Sequence, residues 1–157
     1  MSPADTLLPP AFYTAFETDN GTWTTDPNIM VIADASGDGV LDAVFSYSVY
    51  GTTGFFIHRG FVNGSFQNSI GLISSEEEPA GIAVGHLNGD VIPDVVVTSP
   101  NHSHVSIYFG TGNGGFQAPV HYSFPMVPGS VCIGDVDADG YRDVVAVTKE
   151  PALTVGS

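Results

Sequence analysis

Apolar residues come in short runs of four to seven along this chain, separated by clusters rich in glycine, asparagine and aspartate. Runs of that length with β-branched and aromatic residues read as strands. The expected strands are Phe12 to Phe16, Ile29 to Ala33, Ala43 to Val49 and Gly54 to Arg59, then Ala80 to Val84, Val95 to Thr98 and Val105 to Phe109, then Val131 to Gly134 and Val144 to Val147, with Leu153 to Val155 beginning another. Turns are expected at Asn20-Gly21, Asn63-Gly64 and Asn113-Gly114, each followed two residues later by an aromatic: Trp23, Phe66 and Phe116. No segment of ten or more residues shows helical spacing without a glycine or proline inside it. The unbroken runs Val95-Val96-Val97 and Val144-Val145-Ala146-Val147 fit strands covered on both faces.

An acidic loop follows the first strand of each group. The fullest is Asp135-Val136-Asp137-Ala138-Asp139-Gly140-Tyr141-Arg142-Asp143. Oxygens at positions 1, 3 and 5 of such a loop can converge on one hard cation, with the carbonyl of Tyr141 at position 7 and the carboxylate of Asp143 at position 9 completing the shell. Calcium takes six to eight oxygens and fits this supply. An EF-hand would need a Glu at position 12 and helices on both sides; position 12 is Ala146 and the flanks are strand-like. A second copy runs from Asp34 through Ser36, Asp38 and Val40 to Asp42. A third, weaker copy runs from His86 through Asn88, Asp90 and Ile92 to Asp94, with His86 in place of the first Asp and Val91 in place of the glycine. The copies at 34–42, 86–94 and 135–143 start 52 and 49 residues apart. About four short strands per fifty-residue period describe propeller blades. The expected fold is therefore all-β: a partial β-propeller of about three four-stranded blades with calcium-binding loops, over residues 12–157, after a loose proline-rich lead-in at 1–11.

Charge sharpens this picture. The net charge is −14, with 17 acidic residues against only Arg59, Arg142 and Lys149. Nine of the 17 acids lie in the three loops, where a bound cation would relieve their repulsion. So acidic a chain is a poor partner for nucleic acid or anionic membrane surfaces, and no apolar run is long enough to span a bilayer. The single cysteine, Cys132, excludes an internal disulfide and is expected to be buried in its apolar strand. Residues 1–10 lack the basic start and apolar centre of a signal peptide, so the expectation is either a protein that is not secreted or a piece of a longer one.

These units resemble FG-GAP/VCBS-type repeats, as in integrin α-chain propellers. The resemblance rests on the D-x-D-x-D-G-x-x-D loop at Asp135 to Asp143, its Ser-substituted copy at Asp34 to Asp42, and the phrase Phe109-Gly110-Thr111-Gly112-Asn113-Gly114-Gly115-Phe116. It covers roughly residues 12–155 and implies calcium as the cofactor. The ligands it implies are Asp34, Ser36, Asp38, the Val40 carbonyl and Asp42, together with Asp135, Asp137, Asp139, the Tyr141 carbonyl and Asp143. Asn88, Asp90, Ile92 and Asp94 form a weaker set. It also implies an extracellular or cell-surface module that recognises a protein or glycan ligand. A structural or accessory segment of a larger, enzymatic protein is the alternative.

Other motifs carry less. Gly110-Thr111-Gly112-Asn113-Gly114-Gly115 matches a dinucleotide fingerprint but is followed by Phe116-Gln117-Ala118-Pro119 rather than a helix. His102 and His104 read as a solvated loop, as do Glu76 to Glu78. Asn20, Asn63 and Asn101 open glycosylation sequons; the first two coincide with the repeat's turn, which chance and turn chemistry explain. No catalytic set can be assigned, and no enzyme is expected. About three blades would leave apolar faces uncovered, so the chain is expected either to associate with itself or to continue in a longer protein.

Overall fold

The computed structural model describes residues 29–49, 52–67, 72–75 and 79–149. Among these residues there is no helix. Twelve strands follow one another: β1 (Met30–Ala33), β2 (Asp42–Val49), β3 (Thr52–His58), β4 (Leu72–Ser75), β5 (Gly81–Gly85), β6 (Asp94–Ser99), β7 (His104–Tyr108), β8 (Gly110–Gly112), β9 (Gly115–Phe116), β10 (Val120–Ser123), β11 (Val127–Gly134) and β12 (Asp143–Lys149). The expected strands at 12–16 and 153–155, and Trp23, lie outside the described residues.

The strands form two antiparallel four-stranded sheets, ordered β1-β2-β3-β4 and β5-β6-β7-β10, and two smaller sheets, β11-β12 and the hairpin β8-β9. In each large sheet the first two strands flank an acidic loop, with Ala33 opposite Asp42 and Gly85 opposite Asp94. The same pairing sets Gly134 opposite Asp143 in the third sheet. Each loop is thus the connection of a β-hairpin, held at both ends by ladder bonds. β11 starts earlier than the apolar pattern indicates, at Val127, because a bulge between Pro128 and Val131 lets the strand continue past its irregular start.

Alternation explains how the sheets stack. Val95 and Val97 on β6 pack with Val44, Phe55 and Ile57 of the first sheet. Between them, Val96 points the other way and joins Val105, Ile107, Val131, Ile133, Val144 and Ala146, between the second and third sheets. All three valines are fully buried, which is why this strand reads as one unbroken apolar run. Phe55 sits edge-on to Tyr108 and Phe116, with ring centroids 5.2 and 5.9 Å apart. Between the second and third sheets the backbones come close. A Cβ on Gly81 would lie 2.6 Å from the Gly129 carbonyl oxygen and 2.9 Å from the Val131 nitrogen. The hydroxyl of Thr98 donates to that same Gly129 carbonyl at 2.6 Å. On the opposite face of the first sheet, Phe45 stacks with Phe56 and His58, and burial lowers the pKa of His58 below its ordinary 6.5.

Two sequence expectations fail here: the Val144 to Val147 run is not covered on both faces, since Val145 and Val147 are exposed, and the cysteine is not buried. Cys132 is exposed rather than buried. Val131 and Ile133, its neighbours on β11, take the inward face, and period-two alternation turns the thiol outward.

Candidate metal centre

Each acidic loop bends at its fourth residue. Gly37, Gly89 and Ala138 all have positive φ, at 76°, 80° and 61°. Two loops bend again at the sixth residue, where Gly39 and Gly140 have φ of 86° and 90°. The middle loop carries Val91 there and does without the second left-handed residue. Ala138 pays a steric penalty that glycine would not. Ala138→Gly is therefore expected to raise stability by about 1 kcal/mol, read as a higher urea midpoint with an unchanged slope.

In the first loop Asp34 lies across the turn. Its Oδ1 accepts N–H bonds from Gly37 (2.7 Å) and Asp38 (3.1 Å), and its Oδ2 accepts one from Gly39 (2.8 Å). Asp38 accepts from the Val40 N–H at 2.9 Å. Ser36 is buried, and its hydroxyl has no hydrogen-bond partner. A buried hydroxyl without a partner is costly unless something absent from the protein satisfies it. It stands third in the loop, between Asp34 and Asp38, where the sequence leads one to expect an oxygen ligand.

The third loop brings carboxylates closer together. One oxygen from each of Asp135, Asp137 and Asp143 lies within 4.8 Å of the others. Backbone N–H groups hold the side chains there: Gly140 donates to Asp135 Oδ2 at 3.1 Å, Asp139 to Asp137 Oδ1 at 3.2 Å, and Val136 to Asp143 Oδ2 at 2.9 Å. Asp139 stays outside this trio and accepts the Tyr141 N–H at 2.8 Å. Three carboxylate oxygens at that separation repel one another strongly and suit a small hard cation between them. The residues present therefore fit calcium: an oxygen-only donor set on a turn already bonded into shape.

The middle loop is arranged differently. The Asn88 amide donates to Asp90 Oδ2 at 2.9 Å, and Asp90 Oδ1 accepts the Ile92 N–H at 2.8 Å. An amide N–H thus occupies the carboxylate oxygen that a cation would use. His86, at the position of the first ligand, is exposed.

The ninth residue of the first two loops has a role the motif alone does not reveal. Asp42 and Asp94 are fully buried. Asp42 Oδ2 accepts N–H bonds from Ala35 and Ser36, while its Oδ1 accepts the Gly60 N–H at 3.0 Å. Asp94 repeats this, with Leu87 on Oδ2 at 2.7 Å and Gly110 on Oδ1 at 3.0 Å. Each carboxylate joins its own loop to the glycine that follows the third strand of its sheet. The glycines are obligatory. A Cβ on Gly60 would collide with the Leu41 carbonyl oxygen, and one on Gly110 with that of Pro93. The readable signal was a glycine 18 or 16 residues after the ninth-position Asp.

Elsewhere, His104 lies in β7 rather than in a solvated loop, half-buried and stacked on His102, with centroids 5.6 Å apart. The pairing of β10 with β7 also brings in His121, 4.7 Å from His104. The Asn63 side chain accepts from both the N–H and the hydroxyl of Ser65, as turn chemistry requires. The glycine-rich phrase after β7 forms the β8-β9 hairpin and opens no helix.

Compared with known proteins, residues 86–146 match the model of the FG-GAP-like repeat. No curated protein matches the chain. The matched span starts at the middle acidic loop and takes in the third, along with β6 to β11, the start of β12 and the Asp94–Gly110 bond. Residues 86–146 of this chain therefore form an FG-GAP-like repeat.

Proposed function

We propose that the chain is a calcium-stabilised β-propeller segment that serves extracellular or cell-surface recognition, presenting loops to a protein or glycan ligand. Its two four-stranded sheets and the β11-β12 hairpin are read as successive blades. The observation that carries the calcium reading is the convergence of Asp135, Asp137 and Asp143, with the unpartnered hydroxyl of Ser36 supporting a second site. Calcium bound there would neutralise carboxylates that otherwise repel. Asp135, Asp137, Asp143 and the Tyr141 carbonyl would hold it in the third loop, with Asp139 turning in. Asp34, Ser36, Asp38, the Val40 carbonyl and Asp42 would hold it in the first. Asn88, Asp90, Ile92 and Asp94 form the weak set, because Asn88 already satisfies Asp90.

Calcium titration of chelator-treated protein, followed by calorimetry and thermal melting, tests this. The expected result is one or two sites, with stability rising by about 2.7 kcal/mol at a calcium concentration one hundred times Kd. Asp135→Ala removes the tighter site, and Asp90→Ala leaves the titration unchanged. No heat and no change in melting temperature with the wild-type chain would reject the calcium reading.

A further inference from the structure

The repeat relationship assigns a partner to each residue at the sheet interfaces, and at both ends of the stack no described residue supplies that partner. Take the side of each sheet that faces the next sheet along the chain. In the first sheet Val31, Ala35 and Val44 pack into the core shared with the second. In the second sheet the equivalent residues Ala83, Leu87 and Val96 pack into the core shared with the third. In the third sheet the equivalents are Cys132, Val136 and Val145, and all three are exposed, Val136 at 70% and Val145 at 40%. Now take the other side. Ile82 and Val84 of the second sheet, and Val131 and Ile133 of the third, pack against the sheet before them. Their equivalents in the first sheet are Met30 and Ile32, which are 60% and 48% exposed. These two line an apolar groove with Val40, Leu41, Phe61 and Phe66. Phe116, the equivalent of Phe66, is packed into the interface between the first two sheets.

The two exposed faces therefore match the two halves of the interface that occurs twice among the described residues. Stacked repeats ordinarily close their ends with polar faces, and among the described residues neither end does so. We propose that a second copy of this chain occupies them, with Cys132, Val136 and Val145 of one copy seated in the Met30–Ile32 groove of the next. The contact is head-to-tail, so it builds rings where the rotation closes and open chains where it does not. It does not depend on calcium binding, although screening the net charge of −14 favours it.

The test is sedimentation of the full chain across a wide concentration range, in salt, with calcium and with chelator. The wild-type chain is expected to exceed its monomer mass of 16.4 kDa. Val136→Asp blocks one face and Met30→Glu the other; both sites are exposed, so folding is retained and far-ultraviolet dichroism checks it. Each variant alone is expected to sediment as a monomer. Each keeps one intact face, so an equal mixture is expected to form a dimer and nothing larger. Val145→Asp gives an independent block of the Val136 face. A wild-type chain that stays at monomer mass throughout, or two blocked variants that stay apart when mixed, would overturn the proposal and leave the faces to another kind of partner.

Discussion

Gly110→Ala is expected to cost about 3 to 5 kcal/mol of stability, the sum of an overpacked contact and a lost hydrogen bond to a buried charge. The added methyl collides with the Pro93 carbonyl oxygen and comes within 2.6 Å of Ile92 Cγ2. Backbone cannot yield as the tip of a flexible side chain does, so β8 must move away from the loop. Its N–H then leaves Asp94 Oδ1, and Asp94 is fully buried, with only Leu87 left on its other oxygen. Water cannot replace the lost donor without opening the core. Gly60→Ala should behave alike, through the Leu41 carbonyl and Asp42. Gly134→Ala is the control. Nothing lies within 4 Å of its added methyl, so its urea midpoint should move by no more than about 0.5 kcal/mol allows. If Gly110→Ala and Gly134→Ala melt alike, the carboxylate-to-glycine bond does not hold the sheet to its loop.

That bond also shows where sequence reading stops. The strands were legible because burial on one or both faces leaves its period in the residue types, and the three acidic loops because their polar and glycine positions recur at a fixed spacing. Both signals are local. The partner of Asp94 is 16 residues away on a different strand, and only the β6-β7 register brings Gly110 beside it. His121 likewise reaches His104 through the β10-β7 pairing. Cys132 was misplaced for the opposite reason. An apolar run reads as wholly buried, but among the described residues β11 packs against a sheet on one side only, so alternate residues face outward. The weakness of the middle loop was legible in its missing first Asp. The amide bond from Asn88 to Asp90 was not, since asparagine at that position can also be a ligand.

Phe55→Ala is expected to cost about 3 to 5 kcal/mol, as for other fully buried phenylalanines, whereas Phe56→Ala should cost clearly less. The two are neighbours on β3 with opposite assignments. Phe55 has no exposed surface and meets Tyr108 and Phe116 of the second repeat. Phe56 is half-buried and stacks on Phe45 within its own sheet. Removing Phe55 empties space between two sheets whose backbones are joined in separate ladders, so neither can easily close the gap. A double-mutant cycle of Phe55→Ala with Phe116→Ala should show a coupling of about 0.5 to 1.5 kcal/mol, the range for an edge-on aromatic pair. Additive costs would mean that the ring contact contributes nothing beyond burial. Hydrogen exchange gives a second readout. If Phe55 ties the first two sheets into one cooperative unit, its loss should reduce protection on β6 as well as on β2 and β3. Loss confined to the first sheet would show that each repeat unfolds by itself.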